Sequence, residues 1–263
     1  MIKGDTMEVN ILASGSKGNS LIIKKNKTKL LVDIGISYQS LNNKLNEINI
    51  SIYNIKYLLI THEHSDHIKG LKRLIIKHPN ISVFLTKGTY DSLDFDIKQI
   101  LINYTIIKSE DNFLIEKFNI KSFILSHDAK EPVGYVINKN NKKIVIATDT
   151  GYIDKKYFDL LKNANLYILE SNHEPELLMN SRRPYYLKQR ILGDTGHLSN
   201  QEAAWLINQF IQDIDKTIWA ISHISEDCNT NYFIEKAIVD NLEDPTKLEI
   251  VYTSQETAGK IKL

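Results

Sequence analysis

The stretch Tyr57-Leu-Leu-Ile-Thr-His-Glu-His-Ser-Asp-His67 decides how the rest of the chain is read. Its first part, Tyr57–Ile60, is an apolar, strand-like run. Its second part crowds His62, His64, Asp66 and His67 into six positions, although the whole chain has only eight histidines in 263 residues. A merely solvated loop has no reason to follow a buried strand directly, whereas strand ends are where α/β proteins place sites. Four titratable groups crowded there are costly to desolvate unless they bind something. Neutral imidazole and carboxylate are good ligands for a divalent cation, which removes that cost. Adjacent Asp66 and His67 cannot easily point where His62 and His64 do, so the loop implies two cations. In hydrolytic sites such a pair lies roughly 3.5–4 Å apart.

More ligands must then come from later in the chain, and three stand just past apolar runs. His127 follows Phe123-Ile-Leu-Ser126, Asp149 follows Ile144-Val-Ile-Ala-Thr148, and His223 follows Ile218-Trp-Ala-Ile-Ser222. Singly, each is more often a turn or capping residue; that all three strand ends carry His or Asp raises the joint case for ligands well above its parts. His78, before Pro79, has no such placement and reads as surface.

Working outward, 33 Lys+Arg against 32 Asp+Glu leave a formal charge of +1. This excludes a protein held to nucleic acid by its global field, but not one with a local basic groove. With 42% hydrophobic and 25% charged residues, the composition is that of a folded globular chain. The single Cys228 cannot form an intrachain disulfide, which fits a reducing compartment. No apolar run approaches the roughly 18–20 residues of a membrane span, and Met1–Met7 carries no hydrophobic leader, so a cytoplasmic location is expected, without membrane association. Met7 is an alternative start to Met1. No repeat, low-complexity tract or linker appears, and one domain over 1–263 is expected.

Short β-branched runs alternate with helical patterns, which predicts an α/β or α+β protein. Strands are expected at Val9–Ala13, Ser20–Lys24, Leu30–Asp33, Tyr57–Ile60, Ile81–Leu85, Phe118–Leu125, Leu166–Glu170, Ile218–Ile221 and Leu248–Tyr252. Val133–Ile137 and Ile144–Thr148 flank a polar loop and read as a hairpin. Helices are expected at Ser37–Glu47, near Lys87–Leu93, near Lys155–Lys162 and over Asn231–Leu242. Ser199-Asn-Gln-Glu202 has the spacing of a capping box in front of another.

The pattern His-x-His-x-Asp-His followed by His127, Asp149 and His223 resembles the metallo-β-lactamase superfamily across most of the chain. The resemblance implies a four-layer αββα sandwich of the α+β class, with His62, His64 and His127 on one metal, Asp66, His67 and His223 on the other, and Asp149 bridging. Shorter motifs are similar to the YycJ/WalJ branch: Ala13-Ser-Gly-Ser-Lys-Gly-Asn-Ser20, Glu170-Ser-Asn-His173, Leu187-Lys-Gln-Arg-Ile191, Gly196-His-Leu-Ser-Asn200 and Ser222-His-Ile-Ser225. That likeness implies a metal-dependent nuclease, specifically 5′→3′ exonuclease action on double-stranded DNA, with manganese favoured in the cell and zinc or iron possible after purification.

A metal brings the pKa of bound water from 15.7 to about 7, roughly 12 kcal/mol at 1.36 per unit, more than an ordinary side chain supplies alone. A metal-bound hydroxide is therefore the expected nucleophile, with Asp66 orienting it or accepting its proton. His197, in Gly193-Asp-Thr-Gly-His197, either serves as general acid or phosphate contact, or caps the helix that starts after Ser199. His173 lines the same edge or orients a ligand. In Arg182-Arg-Pro-Tyr-Tyr-Leu-Lys-Gln-Arg190, Arg183, Lys188 and Arg190 are candidate phosphate contacts and Tyr185 or Tyr186 a stacking platform, against the alternative of a solvated helix face. Ser14, Lys17 and Asn19, in the Gly-Ser turn, are further substrate candidates or simply turn residues.

Competing readings are a ribonuclease or small phosphodiesterase, a thioester or lactone hydrolase on the same ligands, a mononuclear iron oxidoreductase, and a metal-stabilised binding protein. The basic stretch favours a polyanion over a thioester. The complete set of seven ligands disfavours the last two. Protein partners are not indicated.

Overall fold

Runs such as Leu166-Tyr-Ile-Leu-Glu170, buried at every position, are what a central parallel strand requires, and they set the frame that carries the polar residues. The structure is a computed structural model and describes residues 6–257 and 260–263; Met1, one of the two possible starts, lies outside them. The chain divides into two compact units, each assembled from separated segments.

The first unit contains residues up to 117, residues 129–133 and those from 253 onward. Its strands are β1 (Glu8–Ala13), β2 (Ser20–Lys25), β3 (Thr28–Val32), β4 (Tyr57–Leu59), β5 (Ser82–Thr86) and β6 (Tyr104–Ile107), with a further short strand β7 (Asn112–Ile115) in its chain segment and β14 (Ile261–Lys262) at the end. The sheet order is β14-β1-β2-β3-β4-β5-β6. From β14 to β3 the pairing is antiparallel, and from β3 to β6 it is parallel. Helices α1 (Tyr38–Glu47), α2 (Ser65–Ile68), α3 (Leu71–Lys77), α4 (Lys87–Ser92) and α5 (Phe95–Ile100) belong to it. Alternate strand residues Leu31, Leu58, Val83 and Leu85 form one core with Leu41, Leu45, Leu71 and Leu74 of the helices.

The second unit contains residues 118–128 and 134–252. Its strands are β8 (Phe118–Ile124), β9 (Val133–Lys139), β10 (Lys142–Ala147), β11 (Leu166–Glu170), β12 (Thr217–Ser222) and β13 (Leu248–Tyr252), in the order β13-β12-β11-β10-β9-β8. Its helices are α6 (Phe158–Leu161), α7 (Pro175–Asn180), α8 (Tyr185–Leu192), α9 (Asn200–Phe210) and α10 (Asn231–Asn241). Tyr167, Leu169, Trp219 and Ile221 pack with Ala203, Ile207 and Phe210 of α9 and with Ile234 and Ile238 of α10. Buried polar tips in this core are satisfied: Trp219 Nε1 donates to the Leu169 carbonyl at 3.0 Å, and the Tyr167 hydroxyl donates to Leu161 at 2.9 Å.

One feature of this topology positions chemistry. Strands β10, β11, β12 and β13 are parallel neighbours, so the carboxyl ends of β10, β11 and β12 share one sheet edge. Asp149, Glu170 and His223 stand at those ends.

The structure also departs from the sequence expectations in instructive places. The predicted hairpin has longer strands, because Asn140 and Asn141 adopt left-handed φ of 49° and 59° and make a two-residue turn. The expected helix near Lys155–Lys162 splits into a 3₁₀ turn, Lys155–Tyr157, and α6. The capping box forms in full, with Ser199 accepting from the Glu202 amide and Glu202 reaching back. Strands β6, β7 and β14 and helices α2, α3, α5 and α7 lie outside the expected elements, while α8 takes the helical alternative offered for Arg182–Arg190. In β6 three of four residues are exposed, so no alternation marks it.

Candidate metal centre

In the first unit, the chain leaves β4 and passes through Thr61 and His62 to His64, the N-cap residue of α2, whose first turn holds Asp66 and His67. The turn folds the histidines onto one another: the His62 ring lies 4.7 Å from that of His64 and 4.0 Å from that of His67, centroid to centroid. His67 is completely buried, and its Nδ1 sits 2.8 Å from Asp33 Oδ2. Asp33 is itself fixed, accepting from the Thr61 amide and the Thr61 hydroxyl, each at 2.8 Å. A carboxylate on the far nitrogen of a histidine sets its tautomer and leaves the other nitrogen to a ligand.

Asn19 joins this cluster rather than facing outward. Its side-chain nitrogen is 3.0 Å from His67 Nε2 and 3.3 Å from Asp66 Oδ2, and its oxygen accepts from the Gly15 amide at 2.8 Å. The Asn19 amide also donates to the Asp66 carbonyl at 2.7 Å. That close approach needs Gly35: a Cβ there would sit 1.6 Å from the Asp66 oxygen. The Gly-Ser turn is thus a brace for Asp66 and His67. Ser14 is buried with its amide on Ser254, and Lys17 is exposed on the turn.

In the second unit, Asp149 and His223 occupy left-handed backbone at φ 61° and 51°, unusual for non-glycine residues and a mark of sites held by their surroundings. His223 Nε2 lies 3.2 Å from Asp149 Oδ1, and Asn172 Nδ2 lies 2.9 Å from His223 Nδ1, fixing the ring. His197 stacks on His223 with centroids 4.9 Å apart and planes 12° from parallel. Its Nδ1 is 2.9 Å from Glu170 Oε2, and Glu170 Oε1 accepts from the Thr150 amide at 2.6 Å. His197 therefore belongs to the cluster, and the cap of α9 is Ser199. His127 Nδ1 faces the Gly196 carbonyl at 3.3 Å, and burial pushes its imidazole below the ordinary histidine range, toward the neutral form a metal takes.

The donor set fits a divalent cation. Asp149 Oδ1 and His223 Nε2, both buried and 3.2 Å apart, could together hold it, and His197 stands beside them with an atom within 4.8 Å of each. A mix of imidazole and carboxylate suits Zn²⁺ or Mn²⁺.

The remaining sequence candidates are spread differently. His173 is 1% exposed and both its ring nitrogens lack a hydrogen-bond partner among the described residues; burial first, then the charges of His197 and Arg183, push it down to about 4. Lys188 turns inward and donates to the carbonyls of Met179 at 2.6 Å and Ser181 at 2.8 Å, closing the α7–α8 turn, so its ammonium is spent on backbone instead of facing a phosphate. Arg183 reaches Ser225 at 3.3 Å and Asp227 at 3.5 Å, and Arg190 pairs with Asp128, the residue after His127. That contact brings the Arg190 end of α8 beside the strand end that carries His127. Tyr185 and Tyr186 are exposed. Sequence reasoning missed Asp33, Glu170 and Asn172 as site residues. Asp33 and Glu170 carry the same signal as the others, a carboxylate at the end of an apolar strand, but were read as part of their strands.

Residues 28–224 match the family model described as the beta-lactamase superfamily domain. The chain belongs to the metallo-β-lactamase superfamily. Within it, the chain is 36% identical over 239 residues to an exodeoxyribonuclease YycJ of Bacillus anthracis, covering 90% of both chains. It is 34% identical over 236 residues to an exodeoxyribonuclease WalJ of Streptococcus pneumoniae serotype 2 (strain D39 / NCTC 7466), covering 89% of this chain and 87% of that one. The YycJ/WalJ likeness seen in the short motifs is thereby shown. A solved metallo-beta-lactamase fold protein, YhfI from Bacillus subtilis, superposes with a TM-score of 0.73 at 14% identity over 98% of this chain and 100% of that chain. The α+β class and the metallo-β-lactamase fold are thus established, and the chain is a metal-dependent hydrolase that uses divalent metal ions. No helix among the described residues is long and apolar enough to cross a membrane.

Proposed function

We propose that this protein is a cytoplasmic nuclease that removes nucleotides from double-stranded DNA in the 5′→3′ direction, working as one functional domain over 1–263. The observation that carries the reading is the similarity over nine-tenths of both chains to a protein named as an exodeoxyribonuclease. In this reading two divalent ions are held, one by His62, His64 and His127, the other by Asp66, His67 and His223, with Asp149 shared. Manganese fills the site in the cell, and zinc or iron after purification. When bound, the ions supply an acidified water and neutralise charge gathering on the phosphate.

The chain's own residues supply the rest. Asp66, held by Asn19, orients the attacking water. Glu170 engages the Nδ1 side of His197 and so orients the ring, leaving Nε2 as the atom that passes a proton to the leaving 3′ oxygen. Arg183 and Arg190 hold backbone phosphates, and Tyr185 or Tyr186 stacks on an end base. Lys17 offers a further phosphate contact at the Gly-Ser turn, whereas the buried Ser14 shapes that turn and the buried His173, beside His197, acts as a positioning residue and not as a substrate contact.

The test is purified protein with metal added back, assayed on end-labelled duplex DNA, single-stranded DNA, RNA, a chromogenic phosphodiester and a thioester. Stepwise shortening of the duplex from its 5′ end is expected. Robust thioester cleavage with no nucleic-acid turnover would overturn the reading.

A further inference from the structure

A cavity of about 190 Å³ lies in the second unit beside the strand ends that carry His127 and Asp149. One wall is Ile124, Leu125 and Ser126, the three residues before His127; the other is Tyr152 and Tyr157. At its rim stand the exposed side chains of Asp154 and Lys156. The volume is below the roughly 300 Å³ at which drug-sized sites begin, which limits the occupant to about one flat ring system.

The cavity is built into the same hydrogen-bond lattice as the site. The Gly151 amide donates to the Ser126 carbonyl at 2.8 Å. Thr150 Oγ1 accepts from the Ser126 amide at 3.0 Å and donates to the Tyr152 carbonyl at 2.7 Å. The Thr150 amide is the group that Glu170 accepts from, so a single residue fixes both the Glu170–His197 pair and the loop bearing Tyr152. Tyr157 is buried and its hydroxyl accepts from the Ile124 amide at 3.3 Å, which holds the floor; Lys156 Nζ sits 4.7 Å over the Tyr157 ring. Tyr152, by contrast, is 49% exposed, a large aromatic left with an open face.

We propose that this cavity receives one nucleobase of the nucleic-acid substrate, the base of a nucleotide flanking the phosphate that is cut. The inference rests on the nuclease reading above and names a subsite for it. Two tyrosines and an aliphatic wall suit a π-face, while the Asp154 carboxylate, one oxygen of which caps the Lys156 amide at 3.0 Å, and the Lys156 ammonium put both signs of charge at the rim beside a base edge. A bare phosphate fits this surface poorly, because the Asp154 carboxylate is part of its lining. Having both polar signs at the rim, the cavity takes any of the four bases, and it positions the strand without selecting a sequence.

Two measurements on the full chain test this. The first needs no turnover: titrate wild type and Tyr152→Ala with deoxyadenosine monophosphate and with 2-deoxyribose 5-phosphate. Stacking predicts that wild type binds the nucleotide roughly tenfold more tightly than the sugar phosphate, and that Tyr152→Ala removes the difference. The second is cleavage of duplexes with the terminal or the penultimate base deleted. Wild type should lose roughly tenfold in kcat/KM for one of the two abasic positions, and Tyr152→Ala should lose as much on intact DNA with no further loss at that position. Equal binding of nucleotide and sugar phosphate, or a Tyr152→Ala loss that persists in full on both abasic duplexes, overturns the base subsite while wild-type cleavage leaves the nuclease reading standing. Wild type inert on every nucleic acid overturns both.

Discussion

Glu170 is a carboxylate with no exposure to solvent, and it survives there because both oxygens are engaged, one by the Thr150 amide and one by His197. Burying a charge without partners would be far more costly than any gain it brought. Replacing it by glutamine keeps the shape but removes the negative charge that holds and orients the His197 ring through Nδ1. Glu170→Gln and His197→Ala are each expected to lower kcat on a phosphodiester about 10²-fold or more, with KM little changed, in steady-state assays. Arg183→Ala should do the reverse, raising KM with kcat nearly intact. His173 gives a pH prediction. Its folded pKa of about 4 lies below the ordinary 6.5, so the folded state prefers the neutral ring and the unfolded chain takes up the proton first. Its contribution is complete above about pH 6.5 and is lost as pH falls toward 4, by an amount of order 3 kcal/mol. Urea unfolding of chelator-treated wild type and His173→Asn checks this: the gap between them should narrow across that window. A pH-independent gap would exclude it.

At the scale of elements, much was legible because the signals were local. The ligand-rich loop after an apolar strand, three further strand ends and a capping box can all be read from neighbouring residues, and each expected strand has a counterpart close to its predicted bounds. What was hidden depends on tertiary contact. Asn19 looks like a turn residue until the fold brings it to Asp66, and Lys188 looks like a surface cation until the α7–α8 turn offers it two carbonyls. Helices α7 and α8 are only six and eight residues long, too short to show a sustained helical period, and β6 is an exposed edge without alternation. The brace at Gly35 yields an element-scale prediction. Gly35→Ala would place a methyl within 1.6 Å of the Asp66 carbonyl unless the β3–α1 link moves, so the variant should lose bound metal and cleavage together. Ser199→Ala removes half of the α9 capping box and should lower unfolding stability by about 1 kcal/mol, with metal content unchanged.

For the whole molecule, two cores hold up two groups of metal-binding side chains, and neither core depends on an ion in the way a zinc finger does. Chelation should therefore leave a folded chain that melts at a lower temperature. An ion present at a hundred times its dissociation constant stabilises by about 2.7 kcal/mol, and calorimetry with and without chelator should show a shift of that order. The near-neutral charge leaves any attraction for a polyanion to local groups, and in the proposed reading these are Arg183 and Arg190. The central claim is that these side chains hold a pair of divalent cations. Elemental analysis of freshly purified wild type and Asp149→Asn, both verified as folded by circular dichroism, tests it most directly. About two equivalents of divalent metal per chain are predicted for wild type, with a clear loss in the variant. No retained metal in wild type, or the same content in both proteins, would contradict the account.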